Sequence, residues 1–328
     1  MTVTDNAAPT MPAEAARLAA GFDTARLLAD LDAVRTHQWK LQRYFGDGVG
    51  AQTEVDWRIL PLRSPGGDSS RTDPGGPGSA ECADTEWLAR TPYLREVLAS
   101  VPAPLRAVRL MALGPGAVSD VHNDTKYGPA WGVARLHVPI TTHHDATLVL
   151  DGVTHRWQPG EFWFGDFSRM HKVENTGARS RVHMVVDCLV VPELAEVFPA
   201  EWQDYLAHGE VLFNRPETPF TGDPGRLARR FEVPPPFADW EEDGLFPDTP
   251  ERVPAEVAVT PRGVELRVAP GQSFPLVHIG DAEFRFAGWS QERTLQLLDG
   301  PRPRVALRTR TGRTVRELIV NSEPVHLS

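Results

Sequence analysis

The sequence predicts a mainly β protein, a two-sheet jelly roll with flanking helices, followed by a small C-terminal α+β domain. Three observations lead there. Short apolar strand patterns recur between residues 105 and 191, with turns and no helices between them. Proline and glycine number 30 and 27 of 328 residues, which suits many short strands joined by turns. A proline- and acid-rich stretch over residues 211–254, with Pro234-Pro235-Pro236 and Glu241-Glu242-Asp243, reads as a linker to further strand-like segments.

Taken in order, residues 1–20 are small and alanine-rich without periodicity and read as a mobile arm. The jelly-roll domain then spans residues 21–210. Asp23 caps a helix that places Leu27, Leu28, Leu31 and Val34 on one face. Residues 55–62 read as a strand, and residues 63–85, rich in glycine, proline and serine, as a flexible loop. Thr91 and Pro92 open a second helix through the N-cap and first-turn preferences of those residues. Strands follow at 108–113, 133–140, 146–157, 161–164, 170–175 and 181–191, the pattern of a cupin-like double-stranded β-helix. Residues 193–208 read as a helix carrying Leu194, Val197, Trp202 and Leu206.

The tail, residues 255–328, alternates strand-like segments with one short helix expected at 291–298. Residues 285–316 hold eight arginines against Glu292 and Asp299. Such a face either recruits an acidic peptide substrate or caps the fold with solvated arginines.

Whole-chain properties bound the function. A net charge of −10 argues against nucleic acid as the main partner. Cys82 and Cys188 make no disulfide framework. No apolar run approaches a membrane span, so a cytoplasmic enzyme with no membrane partner is expected. The oligomeric state is not readable from the sequence.

The chemistry concentrates between residues 122 and 187. His122-Asn123-Asp124 is an H-x-D pair; on a strand the two side chains share a face and can reach one metal ion. His171, after the apolar run Phe162-Trp163-Phe164, is the candidate third ligand. Two histidines and one carboxylate form the facial triad of non-haem iron(II) oxygenases. Arg135 and Arg181 each enter an apolar strand, where an unpaired guanidinium is costly. Each needs an anion, either a structural partner (Asp166, Glu161 and Asp187 are at hand) or a bound carboxylate gripped by the planar fork. Lys126, Tyr127 and Trp131 lie between the ligand strands, where a substrate approaches, although Trp131 also suits packing of the barrel rim. Arg169 either greets a substrate carboxylate or is solvated. Asp166 and Asn175 are candidates for orienting the ligand histidines.

The stretch resembles the aspartyl/asparaginyl β-hydroxylase family of Fe(II)/2-oxoglutarate-dependent dioxygenases, most closely its bacterial members that hydroxylate free proline. The residues carrying the resemblance are His122 and Asp124, Arg135 and His137, the run from Gly160 to Asp166, His171, and the run from Arg181 to Asp187. It covers residues 104–191, with a looser match upstream to residue 22, and stops short of the C-terminal quarter. The resemblance implies that His122, Asp124 and His171 bind iron(II) and that Arg135 and Arg181 hold the carboxylates of 2-oxoglutarate. It makes His137 a further contact in the same pocket and O2 the other co-substrate. Animal members have glycine where Asp124 stands, so this chain follows the three-ligand pattern, which also argues against halogenation.

The function expected is hydroxylation of an unactivated C–H in an amino-acid side chain, such as the β-carbon of an Asp, Asn or His residue. The tail domain favours a peptide substrate, in a biosynthetic pathway. A free amino acid such as proline is the alternative. A cupin-type metal-dependent isomerase and a non-catalytic binding module are alternatives of another class, against which the two arginines weigh because neither needs them.

Overall fold

The computed structural model describes residues 9–43, 55–241 and 244–325. The chain divides into two units. The first holds residues up to 75 and 81–213; the second holds 76–80 and 214–328. No helix among the described residues is long and apolar enough to cross a membrane.

The first unit opens with strand β1 (Ala15–Gly21) and helix α1 (Thr24–Arg35). Strands β2 (Lys40–Leu41), β3 (Trp57–Pro65) and β4 (Cys82–Asp84) follow, then helices α2 (Glu86–Ala89) and α3 (Pro92–Ala99). The jelly roll proper consists of β5 (Leu105–Leu113), β6 (Val133–Thr141), β7 (Ala146–Leu150), β8 (Val153–His155), β9 (Glu161–Gly165), β10 (His171–Asn175) and β11 (Arg181–Leu189). Helix α4 (Ala200–His208) closes the unit. The larger sheet has the order β1-β9-β6-β11-β5-β3-β2 with β4 on β3; the smaller has the order β10-β7-β8.

Period-two alternation gives the larger sheet two unlike faces. Leu136, Val138 and Ile140 of β6, Val182, Met184 and Val186 of β11, Val108 and Leu110 of β5, and Phe162 and Phe164 of β9 join one core. That core also takes Leu27, Leu31 and Val34 of α1 and Trp202 of α4, so the helices cover this face. Alternate residues of the same strands, including Arg109, Arg135, His137, Arg181, His183 and Asp187, are buried as well. They belong to the opposite face, which turns toward the smaller sheet. An apolar outer face therefore fixes the register, and the register puts the polar residues inside the roll.

Asp23 caps α1 as expected, accepting from the N–H groups of Ala25 and Arg26 at 2.9 and 3.1 Å. Four local expectations are corrected. The stretch expected as a mobile arm includes β1, paired to β9 with Ala16 and Leu18 buried; residues 1–8 lie outside the described residues. Alanines alternating with Arg17 and Leu18 hid a period-two signal. Within the expected flexible loop at 63–85, β4 pairs back on β3, and Thr72 is buried with its hydroxyl on the Leu41 carbonyl. Asp68 and Asp73 tie that loop locally by accepting from Ser70 N and Gly75 N. The helix expected over 193–208 is a short 3-10 turn and α4, separated by Phe198 and Pro199 in extended conformation.

The fourth correction concerns the second unit, which is a closed barrel with no α-helix among its described residues. Its strands are β12 (Arg229–Val233), β13 (Val253–Thr260), β14 (Gly263–Val268), β15 (Gln272–His278), β16 (Glu283–Phe286), β17 (Arg293–Leu298), β18 (Arg304–Thr311) and β19 (Thr314–Pro324). Each pairs with the next, and β12 pairs with β19 to close the ring. The expected linker thus contributes β12, and the expected helix at 291–298 is β17. Closure removes both free edges, and Phe231, Phe284, Phe286, Leu266, Leu295 and Leu307 fill the interior. The expected basic face is only partly exposed. Arg285 and Arg293 are buried, and Arg308 and Arg310 pair with the buried carboxylate of Glu283.

Candidate active site

His122 and Asp124 lie on an extended segment held to β10 by isolated bridges, rather than on a full strand. The His122 N–H donates to the His171 carbonyl at 2.9 Å, and the His171 N–H returns the bond at 2.7 Å. The two rings sit 4.3 Å apart between centroids. Asp124 is fixed two residues on by its own N–H, which donates to the Phe167 carbonyl at 2.9 Å. One ligand atom from each of His122, Asp124 and His171 lies within 4.8 Å of the others.

The ring tautomers follow from chemistry. Nδ1 of His122 is 2.9 Å from the Asp120 carbonyl, and Nδ1 of His171 is 2.9 Å from the Arg169 carbonyl. A carbonyl only accepts, so both Nδ1 atoms carry the proton and both Nε2 atoms keep a lone pair. Burial also holds His171 below its ordinary pKa, favouring the neutral ring. For Asp124, burial is the largest influence and opposes the charge, but Arg135 together with His171, His122 and Arg109 outweighs it, and the carboxyl is held below its ordinary range. Two neutral imidazoles and an ionised carboxylate brought together in this way are a donor set for a divalent cation.

Behind the triad lies a charged cluster. Asp187 of β11 is fully buried and receives Arg135 Nε at 2.6 Å, Arg135 Nη2 at 3.2 Å and Arg109 Nη2 at 3.1 Å. Arg135 Nη1 donates in addition to Asp124. The Arg135 guanidinium lies 4.3 Å from the centroid of the Tyr127 ring. Its three nitrogens are thus occupied by Asp187 and Asp124, which is the structural-partner alternative for Arg135 and not the co-substrate contact that the resemblance implies. The register explains it: Arg135 and Asp187 are direct cross-strand partners.

Arg181 has no such partner. It is 5% exposed and makes no ion pair with a described acid. Burial alone pushes its pKa down to about 10. Its Nε and Nη2 lie 3.0 and 2.8 Å from Nε2 and Nδ1 of His183. Burial, then the Arg181 charge, holds His183 well below its ordinary pKa. A neutral imidazole offers one lone pair, so it satisfies only one of those donors. Among Arg109, Arg135, Arg181, Asp124 and Asp187 three cations face two anions, and the cation left over is Arg181.

His137 lies against His183, with ring centroids 5.7 Å apart. Its ring stacks on Phe167 at 5.0 Å and meets Trp157 edge-on at 5.2 Å. Burial keeps it neutral, and its buried Nε2 has no partner among the described residues. Gly165, inside the G-E-x-W-F-x-D motif, gives the Phe167 ring its place; a Cβ there would lie 2.7 Å from that ring.

The other expected residues stand elsewhere. Arg169 pairs with Asp151 at 2.6 Å and Asp166 at 3.0 Å, and serves the site through its carbonyl. Lys126 is buried in the turn after Asp124 at φ 60°, and Trp131 is half-buried at the end of a short 3-10 helix before β6. Asp166 and Asn175 do not orient the histidines. Asp166 binds Ser168 and Arg169, and the Asn175 amide bridges the Leu113 and Arg179 carbonyls. Arg109 and His183 were not singled out from sequence, and Asp187 was named there only as an available ion-pair partner for the arginines. The signal that could have found Asp187 and His183 was their inward parity with Arg181 along β11.

Because Asp187 compensates two buried guanidinium groups, Asp187→Asn is expected to destabilise the protein by about 3–5 kcal/mol. It should also loosen Asp124 by freeing Arg135. Denaturant unfolding and metal titration of the variant check both effects.

A cavity of about 710 Å³ lies apart from this site, lined by Trp39, Arg58, Thr141, Arg179 and Val182 among others. It holds none of the triad, and the polar convergence described above, not cavity size, marks the candidate site.

A family model described as Aspartyl/Asparaginyl beta-hydroxylase matches residues 22–190, slightly more than half of the chain. No curated protein matches. Among solved structures, a 2OG-Fe(II) oxygenase family oxidoreductase from Burkholderia pseudomallei is 12% identical, covering 49% of this chain and 78% of its own, with a TM-score of 0.32. The non-heme alpha ketoglutarate dependent epimerase SnoN from nogalamycin biosynthesis is 12% identical, covering 54% of this chain and 78% of its own, with a TM-score of 0.34. A Cupin 2 conserved barrel domain protein from Salinispora arenicola CNS-205 is 19% identical, covering 33% of this chain and 74% of its own, with a TM-score of 0.21. Likenesses at this level carry no argument about activity.

Proposed function

Because this chain belongs to the aspartyl/asparaginyl β-hydroxylase family of 2-oxoglutarate-dependent dioxygenases, we propose that it hydroxylates an unactivated C–H of an amino-acid side chain in a peptide. The β-carbon of an Asp, Asn or His residue is the target the family suggests. The observation that carries the reading is a buried guanidinium without an acid among the described residues, Arg181, linked to the His122, Asp124 and His171 donor set through the rings of His183, His137 and Phe167.

The donor set fits iron(II): two Nε2 lone pairs and one carboxylate leave coordination positions open. Bound there with 2-oxoglutarate and O2, the metal supplies the oxidising power for C–H hydroxylation. The protein's own part is placement. The Asp120 and Arg169 carbonyls lock the imidazole tautomers, and Arg135 holds Asp124 ionised and in place. Arg181 draws in the distal carboxylate of 2-oxoglutarate, which neutralises its unmatched charge. His137, through its unpartnered Nε2, meets the co-substrate from the side. Trp157 and Phe167 pack against His137, and Trp163 stacks on Trp157, which makes the surroundings of His137 apolar. No acid or base is needed at the reacting carbon.

A peptide is favoured over a free amino acid by the surroundings of the two histidines. Val118, Val121, Val153 and Met170 are 46%, 59%, 45% and 51% exposed. All four are close to the ligands: Val121 and Met170 neighbour the histidines in sequence, and Val118 and Val153 neighbour them through β10 and β7. An exposed apolar rim of this kind binds side chains flanking a target residue. Lys126, Trp131 and Arg169 remain positions from which the loop reaches a substrate, with Arg169 freed only if its pair with Asp151 opens.

The test is succinate formation from 2-oxoglutarate with iron(II) and O2 against free amino acids, proline included, and peptides bearing Asp, Asn or His. Peptide-dependent succinate with a product heavier by one oxygen atom is expected. Turnover confined to free amino acids would overturn the peptide assignment, and no co-substrate turnover with any acceptor would overturn the reaction class.

A further inference from the structure

Two stacked indoles in the cavity have opposite fates. Trp157 and Trp163 lie 5.3 Å apart at 12° between planes. Trp163 donates its indole N–H to Glu161 at 2.8 Å. The indole N–H of Trp157, a residue only 4% exposed, meets no acceptor among the described residues. An indole nitrogen only donates, and a buried donor without a partner is rare in a folded protein. The acid near this aromatic group on β1's side, Glu14, is already engaged by His155 at 2.9 Å.

The position of Trp157 says what would satisfy it. Its ring lies 6.4 Å from His183 at 26°, and 5.2 Å from His137. His183 is the ring that the Arg181 guanidinium touches. Trp157 and Arg181 therefore flank one imidazole, each with donor capacity left over. An unmatched cation and an unmatched neutral donor, both neighbours of the His183 ring, suit a carboxylate with more than one lone pair to offer.

We propose that the indole N–H of Trp157 binds the distal carboxylate of the co-substrate beside Arg181, so that the pocket selects a 2-oxo dicarboxylate over a 2-oxo monocarboxylate. This rests on the assignment of 2-oxoglutarate as co-substrate made above. Trp157 acts in positioning and selectivity, with no part at the reacting carbon.

The experiment uses the full chain, labelled with 15N at the indole nitrogens and loaded with zinc in place of iron. Nine tryptophans give nine indole resonances, and the one lost in Trp157→Phe is that of Trp157. Adding 2-oxoglutarate is expected to move it downfield, while 2-oxobutyrate, which lacks the distal carboxylate, leaves it in place. In calorimetry Trp157→Phe is expected to bind 2-oxoglutarate roughly tenfold more weakly, with 2-oxobutyrate affinity held within about twofold. Tight binding of 2-oxoglutarate with the Trp157 resonance unmoved, or unchanged affinity in the variant, overturns the proposal alone. Failure of the wild-type protein to bind 2-oxoglutarate at all overturns the co-substrate assignment and this proposal with it. If Trp157→Phe does not fold, Trp157→Tyr replaces it. If neither folds, the wild-type spectrum decides: an indole proton that follows 2-oxoglutarate but not 2-oxobutyrate supports the proposal, and none doing so overturns it.

Discussion

Replacing Arg181 by methionine is expected to cripple co-substrate binding while leaving the ligand-free protein as stable as before, or more so. The two effects have opposite signs because the guanidinium is placed for a ligand the free protein lacks. Burial pushes its pKa down to about 10, which corresponds to a penalty of about 3 kcal/mol on the charged form. That penalty applies in full below pH 10 and fades as the pH rises beyond it, since the folded state then releases the proton more easily than the unfolded one. Methionine fills the same space without charge, so thermal unfolding at neutral pH should show no loss and a gain of up to a few kcal/mol. Binding of 2-oxoglutarate should weaken by roughly thirtyfold to several thousandfold, the range for truncating one partner of a buried charge pair. A stability loss with unchanged affinity would make Arg181 structural.

The second large effect is expected at the metal ligands. His171→Ala removes one imidazole and, with it, half of a pair held side by side by reciprocal backbone bonds. Loss of a residue that merely orients a ligand costs about 10–100-fold in metal affinity, so loss of a ligand should exceed that. Titration with manganese should give one site in the wild-type protein and only weak, unsaturable binding in His171→Ala and Asp124→Ala. The fold should survive, because the β10 backbone pairing to β7 does not use these side chains. Full-strength binding in either variant would place the metal elsewhere.

Much of this architecture was legible because alternation is a strong signal when one face is apolar. β6 and β11 read directly as strands; Arg135 and Arg181 stood out as arginines in apolar strands, and His137 through the family resemblance. Parity says which face a side chain takes but not which neighbour it meets, and the misreadings follow from that. Arg135 faced inward as expected, yet the pairing of β6 with β11 set it against Asp187. The orienting groups for the histidines are backbone carbonyls of Asp120 and Arg169, and a carbonyl leaves no mark in a sequence. β1 was hidden because alanine carries little contrast between faces. In the second unit, Gln291-Glu292-Arg293-Thr294 looked helical by composition, while closure of the ring placed β17 between β16 and β18 and overrode that local preference.

The most direct measurement of the central claim is a crystal structure of the protein grown with manganese and 2-oxoglutarate under anaerobic conditions. It should show one ion held by Nε2 of His122, Nε2 of His171 and a carboxylate oxygen of Asp124, with the distal carboxylate of the keto-diacid on Arg181. Three side chains turned to different places, an ion enclosed wholly by protein atoms, or a carboxylate lying away from Arg181 would contradict it.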